Sequence, residues 1–246
     1  MLEVREVKKN FGGIHALTGA TFTLGEGELK CIIGPNGCGK STLFNVITGA
    51  LKPSSGQVFF KGRDITGLAP QHISRLGFGR KFQVPAVFND VTVAENAELA
   101  GLATSTKKGF WSMFSTRLDY KAVDRHLEEF GLLEYKTTLA RELPHGLKQR
   151  LEIMMLILSE ARVILLDEPT AGMSPSETAD TADLIRHVRT NFEASVLVIE
   201  HDMAFVRNLD CPMVVMIKGA VVREGCYGDI KDDPEIRKAY LGDRQC

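Results

Sequence analysis

Gly34-Pro35-Asn36-Gly37-Cys38-Gly39-Lys40-Ser41-Thr42 decides how the rest of this chain is read. The stretch has the form GxxxxGK[ST]. Residues 29–33 before it are apolar apart from Lys30 and read as a buried strand, and residues 41–49 after it read as a helix. Strand, glycine loop and helix together form the context in which such a loop binds phosphate. Gly34, Gly37 and Gly39 let the backbone turn its N–H groups inward around phosphate oxygens. The helix beginning near Lys40 adds unpaired N–H groups and its positive end. Lys40 supplies a point charge for the outer phosphates of a nucleotide, and the Ser41 hydroxyl is placed to bind Mg²⁺.

Working outward, the second half supplies matching chemistry. Residues 163–166 are an apolar strand that runs into Asp167 and Glu168. In a parallel sheet, ligands sit beyond the carboxyl ends of the strands. Asp167 is therefore expected to face Ser41 and help hold Mg²⁺. Glu168, one residue further, would polarise the attacking water or take its proton. Residues 195–200 form another apolar strand, ending at His201, which is placed to contact the outermost phosphate. Two upstream residues stay open between readings. Phe11, beside a Gly12-Gly13 turn, can stack on adenine or pack within the turn. The Gln83 amide can ligate Mg²⁺, orient water, or lie on the surface.

The bulk numbers exclude several classes. With 246 residues, 44% of them hydrophobic, the chain can bury a real core, as one domain or as a core with a smaller lobe. Thirty basic and 31 acidic residues leave a formal charge of −1, so bulk attraction to nucleic acid or anionic lipid is not expected. Five cysteines are scattered without metal-type spacing, which fits a reducing compartment. Cys31 falls in a buried strand; Cys38, in the phosphate loop, is a candidate for oxidation or alkylation. Residues 1–10 alternate charged and apolar side chains rather than forming a secretory leader. The longest apolar stretches are far below the roughly 20 residues of a membrane span, so a soluble chain is expected, with any membrane role exercised through a partner. Residues 104–116 combine lysines with Phe110, Trp111, Met113 and Phe114. They read either as a surface facing a protein or membrane, or as a helical hairpin arm that packs its aromatics inward. Residues 2–7 read as an edge strand, residues 148–160 as a long helix, and the tail from 229 to 241 as short helices.

At this point the chain resembles the nucleotide-binding subunits of ABC transporters, over essentially its whole length. The resemblance implies that Phe11 stacks on adenine, that Gln83 in Arg80-Lys81-Phe82-Gln83 is the Q-loop glutamine, that Asp167 and Glu168 are the Walker B acids, that 171–175 is the D-loop and that His201 is the switch histidine. It implies ATP and Mg²⁺ as cofactors. The implied fold is α/β: a P-loop NTPase of the ABC ATPase type, with a mixed β core, an amino-terminal antiparallel sheet and an inserted α-helical subdomain. The whole chain, 1–246, would be one ATPase domain: 1–84 and 159–246 the core with its antiparallel subdomain, 85–158 the helical subdomain, 229–246 a helical tail. Phe11-Gly12-Gly13-Ile14, Gly79-Arg80-Lys81-Phe82-Gln83, Pro169-Thr170-Ala171-Gly172-Met173 and Ala239-Tyr240-Leu241-Gly242 are similar to the ATPases of branched-chain amino acid and urea importers. Val84-Pro85 and the 31–40 stretch lean toward the urea type. The resemblance further implies two transmembrane permease subunits, a second ATPase subunit, an external substrate-binding protein as indirect partner, no nucleic acid, and a place on the cytoplasmic side of the inner membrane, held there by the permeases. The rival classes are the ATPase of an exporter of lipid or lipopolysaccharide, and a soluble ABC ATPase acting on nucleic acid or protein.

One element departs from the family pattern. Where the family has Leu-Ser-Gly-Gly-Gln opening a helix, this chain has Leu143-Pro144-His145-Gly146-Leu147. Pro144 offers neither a hydroxyl nor a backbone N–H, though it can occupy a first helical turn. Gly146 still permits close backbone approach, and His145 can donate a hydrogen bond to nucleotide in place of what is lost. Subunits of this family pair head to tail, each phosphate loop facing the partner's signature. A homodimer, possible for the chain in isolation, would have two altered sites; a heterodimer with a second ATPase is expected in the complex, with the site built on Lys40 and Glu168 facing an intact signature.

Overall fold

The computed structural model describes residues 1–81, 87–107, 120–234 and 236. Its strands in chain order are β1 (Leu2–Phe11), β2 (Ile14–Leu24), β3 (Leu29–Ile33), β4 (Ser55–Phe60), β5 (Arg63–Asp64), β6 (Phe78–Lys81), β7 (Val163–Asp167), β8 (Ser195–Ile199), β9 (Met213–Ile217) and β10 (Ala220–Gly225). They form two sheets, an antiparallel one in the order β2-β1-β4-β5 and a larger one in the order β10-β9-β3-β8-β7-β6. In the larger sheet β3 and β6 to β9 run parallel, and β10 folds back antiparallel on β9. β1 is not the edge strand its sequence suggests, because β2 and β4 pair with its two sides. Alternation reports that one face is buried; it does not count neighbours.

The parallel strands are apolar throughout because both of their faces are covered. Leu29, Cys31 and Ile33 of β3 enter one core with Ile164 and Leu166 of β7 and Val196 and Val198 of β8. Ile32, Val163, Leu165, Leu197 and Ile199 point the other way, into a second core shared with β1, β2, β4 and the helix α1 (Lys40–Ile47). Asp167 continues the parity of Val163 and Leu165 and so faces α1. Lys30, the one charge in β3, is only 5% exposed. Its Nζ donates to Thr23 O at 2.6 Å and pairs with Glu224 at 3.2 Å and Glu28 at 3.3 Å, so the buried ammonium is balanced by two carboxylates.

A short helix, α2 (Pro70–Arg75), starts with the proline at its first position, where a missing N–H leaves no bond unmade. The helical lobe is built from α3 (Val93–Lys107), α4 (Tyr120–Glu129), two 3-10 turns and α5 (His145–Leu158). Val123, Leu127 and Phe130, the apolar positions of an otherwise polar stretch, are its buried face. Asn96 is fully buried and satisfied: it accepts from Phe88 N at 2.8 Å and donates to Thr92 O at 2.9 Å, which fixes the loop entering α3. The lobe meets α6 (Pro175–Phe192) through Arg150–Asp180 at 3.2 Å and Glu129–His187 at 2.9 Å. Ser174 and Glu177 cap the start of α6 reciprocally. The remaining helices are α7 (Met203–Leu209) and α8 (Tyr227–Ile230). Among the described residues no helix is long and apolar enough to cross a membrane. Phe82, Gln83, Val84, Pro85, residues 108–116 with their aromatics, and Ala239 to Gly242 lie outside the described residues.

Candidate functional site

The site gathers at the carboxyl ends of β3, β7 and β8. The loop leaving β3 closes on itself through Cys38 N to Pro35 O at 3.2 Å, and α1 begins at once, with Leu43 N donating to Gly39 O at 2.9 Å. Its path admits little but glycine. A Cβ on Gly34 would lie 2.2 Å from Met216 O, and one on Gly39, where φ is +104°, would lie 2.4 Å from Ala16 O. Gly37, at φ +79°, faces open space. Lys40 is 6% exposed; its Nζ donates to Gly34 O at 2.7 Å and Pro35 O at 3.0 Å, which sets the ammonium inside the curve of the loop. Ser41 is exposed in the first turn of α1 and Thr42 partly so; in the loop, Pro35 is partly exposed and Asn36 exposed. Cys38 is buried. Burial pushes its thiol up from the ordinary value, with Lys40 pulling the other way. A buried thiol is a poor nucleophile, which weighs against Cys38 as a candidate for oxidation or alkylation.

Across the sheet, Asp167 is 4% exposed. Its Oδ2 pairs with Arg80 Nη2 at 3.3 Å, while its Oδ1 is buried and has no hydrogen-bond partner. Burial pushes the carboxyl up, and Arg80 opposes the shift. An orphaned carboxylate oxygen on the α1 face fits a divalent cation bound there with the Ser41 hydroxyl. Arg80 was not singled out as a site residue by sequence. From β6 it also donates to Asn45 Oδ1 at 2.6 Å and Thr48 Oγ1 at 3.3 Å, so one guanidinium ties β6, α1 and β7 together. Removing one partner of a buried pair leaves the other charge uncompensated, so Arg80→Ala is expected to destabilise the fold by about 3 kcal/mol. Arg80→Lys should recover less than half of that, because an ammonium lacks the planar fork. Chemical denaturation measures both, and unchanged midpoints would remove Arg80 from this role.

Glu168 and His201 leave adjacent strands and meet at 3.6 Å between Oε1 and Nδ1. The Glu168 N–H donates to Ile199 O at 2.9 Å, although the residue sits in the left-handed region at φ +48°. Between these two turns lies Glu200, 1% exposed and passed over in the sequence as the last residue of an apolar strand. Its Oε1 accepts from Thr170 N at 3.0 Å and Thr170 Oγ1 at 2.6 Å, and its Oε2 accepts from His201 N at 3.0 Å. Phe11 ends β1 with 45% of its surface exposed, and Lys9 Nζ lies 5.1 Å from its ring centre. His145 and Gly146 open α5 beside Glu177 of α6. No hydrogen bond joins them to the phosphate loop among the described residues. Pro144 caps α5 instead of entering its first turn; its carbonyl accepts from Lys148 N at 3.0 Å, and no side chain caps the helix start.

A model of the ABC transporter family matches residues 17–171. The chain is 36% identical to the high-affinity branched-chain amino acid transport ATP-binding protein LivG of Salmonella typhimurium, over 99% of this chain and 98% of that one. It is equally similar, at 36%, to BraF of Pseudomonas aeruginosa, a protein of the same description. Among solved structures it resembles the ADP conformation of MJ1267, an ATP-binding cassette of an ABC transporter. That likeness has a TM-score of 0.82 and 30% identity, and covers 98% of each chain.

Proposed function

This chain belongs to the ABC transporter family, and from that premise we propose that it drives the uptake of branched-chain amino acids through partner permeases. It is an ATP-binding and ATP-hydrolysing subunit. One observation carries the assignment of roles: the Lys40 loop, the unpartnered Asp167 Oδ1 and the 3.6 Å Glu168–His201 pair stand at the carboxyl ends of neighbouring strands. In this reading Lys40 and the loop N–H groups bind the outer phosphates, and Ser41, Asp167 and Gln83 are the residues that would hold Mg²⁺. Bound Mg²⁺ neutralises charge on the phosphates. Glu168 orients the attacking water and accepts its proton, while His201 contacts the terminal phosphate. Phe11, exposed at the end of its strand, stacks on the adenine.

The substrate class follows the relatives, whose names specify branched-chain amino acids. The lean toward urea in Val84-Pro85 and the 31–40 stretch finds no support among these relatives, and neither do the exporter and soluble readings. Pro144, which brings no side-chain hydroxyl to the start of α5, supports pairing with a second, distinct ATPase, so that Lys40 and Glu168 face a serine-bearing signature. His145 and Gly146 would face the partner's nucleotide. The chain would sit on the cytoplasmic side of the membrane, held by two permeases, with a substrate-binding protein outside.

The test is mass spectrometry of what co-purifies with the Glu168→Gln chain from gently solubilised membranes under ATP. Two permeases and a second ATPase are expected, together with leucine binding by the cognate binding protein. Urea binding there would overturn the amino acid assignment. Recovery only from the soluble fraction would overturn the transport reading.

A further inference from the structure

We propose that Glu200 is a positioning residue: a single buried carboxylate ties the turn carrying Glu168 to the turn carrying His201 and sets the gap across which the two meet phosphate and water. The proposal rests on the roles given above to Glu168 and His201. It starts from backbone geometry. The left-handed conformation of Glu168, at φ +48°, is disfavoured for a residue with a Cβ by about 1–2 kcal/mol. Such a conformation persists only where its surroundings over-determine it. The entry to the turn is held by Glu168 N to Ile199 O. At the exit, Pro169 has no N–H to give. Thr170 is therefore the first residue after Glu168 that can anchor the turn, and both its N–H and its hydroxyl go to Glu200 Oε1.

The other oxygen of Glu200 serves the switch turn. Oε2 accepts from His201 N at 3.0 Å and Asp202 N at 3.5 Å, and lies 3.8 Å from His201 Nδ1. These donors belong to the two turns and to nothing else. An isolated carboxylate buried to 1% is strongly disfavoured, and an apolar residue would fill a core site without that penalty. Here four donors compensate it, and what the arrangement gains is a fixed relation between two loops that share no backbone bond between Glu168 and His201 themselves. A displacement of His201 by the terminal phosphate would pass through Glu200 to the Thr170 end of the Glu168 turn.

The experiment compares hydrolysis rate with nucleotide affinity. In the purified chain, Glu200→Gln keeps the shape but exchanges one acceptor for a donor, so it cannot serve both turns. Its single-turnover hydrolysis should fall about fivefold and that of Glu200→Ala about thirtyfold, with the Kd for a fluorescent ATP analogue unchanged within about threefold. Thr170→Val, which removes only the hydroxyl, should show the same split on a smaller scale and serves if the Glu200 variants do not fold. Combined with Glu168→Gln and His201→Ala together, the Glu200→Gln change should add less than about twofold, because both groups it positions are already disabled. Full additivity, or rate and affinity falling together, would show a merely structural role and overturn the proposal. Loss of the underlying reading is visible separately: unchanged hydrolysis in Glu168→Gln with Glu200 intact would remove the premise.

Discussion

Glu168→Gln is expected to slow ATP turnover at least tenfold while leaving ATP binding intact. Glutamine keeps the length and one acceptor oxygen of glutamate, so water can still be held near the terminal phosphate, but an amide cannot take the proton. General-base catalysis contributes on the order of 10² to 10⁴ in rate, which makes tenfold a lower bound. Binding should survive because the proposed phosphate contacts belong to the loop that Lys40 fills, not to Glu168. Phosphate release measured beside the affinity for a fluorescent nucleotide separates the two quantities. Turnover at the parental rate would withdraw Glu168 from proton transfer and point to His201, 3.6 Å away, as the alternative.

Lys40→Ala acts on the complementary quantity. The Lys40 ammonium lies within the loop, 2.7 Å from Gly34 O, where it can reach the outer phosphates. A hydrogen bond to a charged group contributes about 1.5–3 kcal/mol, so its loss should weaken nucleotide binding roughly ten- to hundredfold. Lys40→Arg should not restore affinity: Lys40 is 6% exposed with its ammonium against Gly34 O and Pro35 O, and a planar guanidinium is bulkier than the ammonium it replaces. Equal affinity in Lys40→Ala would undo the phosphate-loop assignment itself.

Some of this was legible in the chain and some was not, for definite reasons. Strands buried on both faces have no alternation to obscure, so residues 163–166 and 196–199 stand out as unbroken apolar runs and the residues just beyond them can be placed. Glycines that must lie against another backbone are equally visible, since no other residue fits at Gly34 or Gly39. Contacts formed at long range are hidden. Nothing near Arg80 in sequence announces that its partner is Asp167, 87 positions later. Glu200 has the same character: its meaning depends on Thr170 arriving from a different strand, 30 positions earlier. Period-two patterning misplaced β1 at an edge because side-chain burial carries no information about backbone pairing. Pro144 reads from sequence as a first-turn residue, and only the first helical bond, Lys148 N to Pro144 O, shows it one position earlier, at the cap.

The position of β3 in its sheet has a consequence during synthesis. Cys31 pairs with Val198 on one side and Met213 on the other, so the strand that leads into the phosphate loop has no permanent neighbours until most of the chain exists. A ribosome adding about 5–20 residues per second needs on the order of ten seconds or more to supply them. Through that interval the loop is attached to an unpaired apolar strand. Long-range pairing of this kind folds slowly and leaves sticky edges exposed. Nascent chains released before β9 emerges should therefore fail to retain nucleotide and should be substrates for chaperones, even though they already contain every residue of the loop.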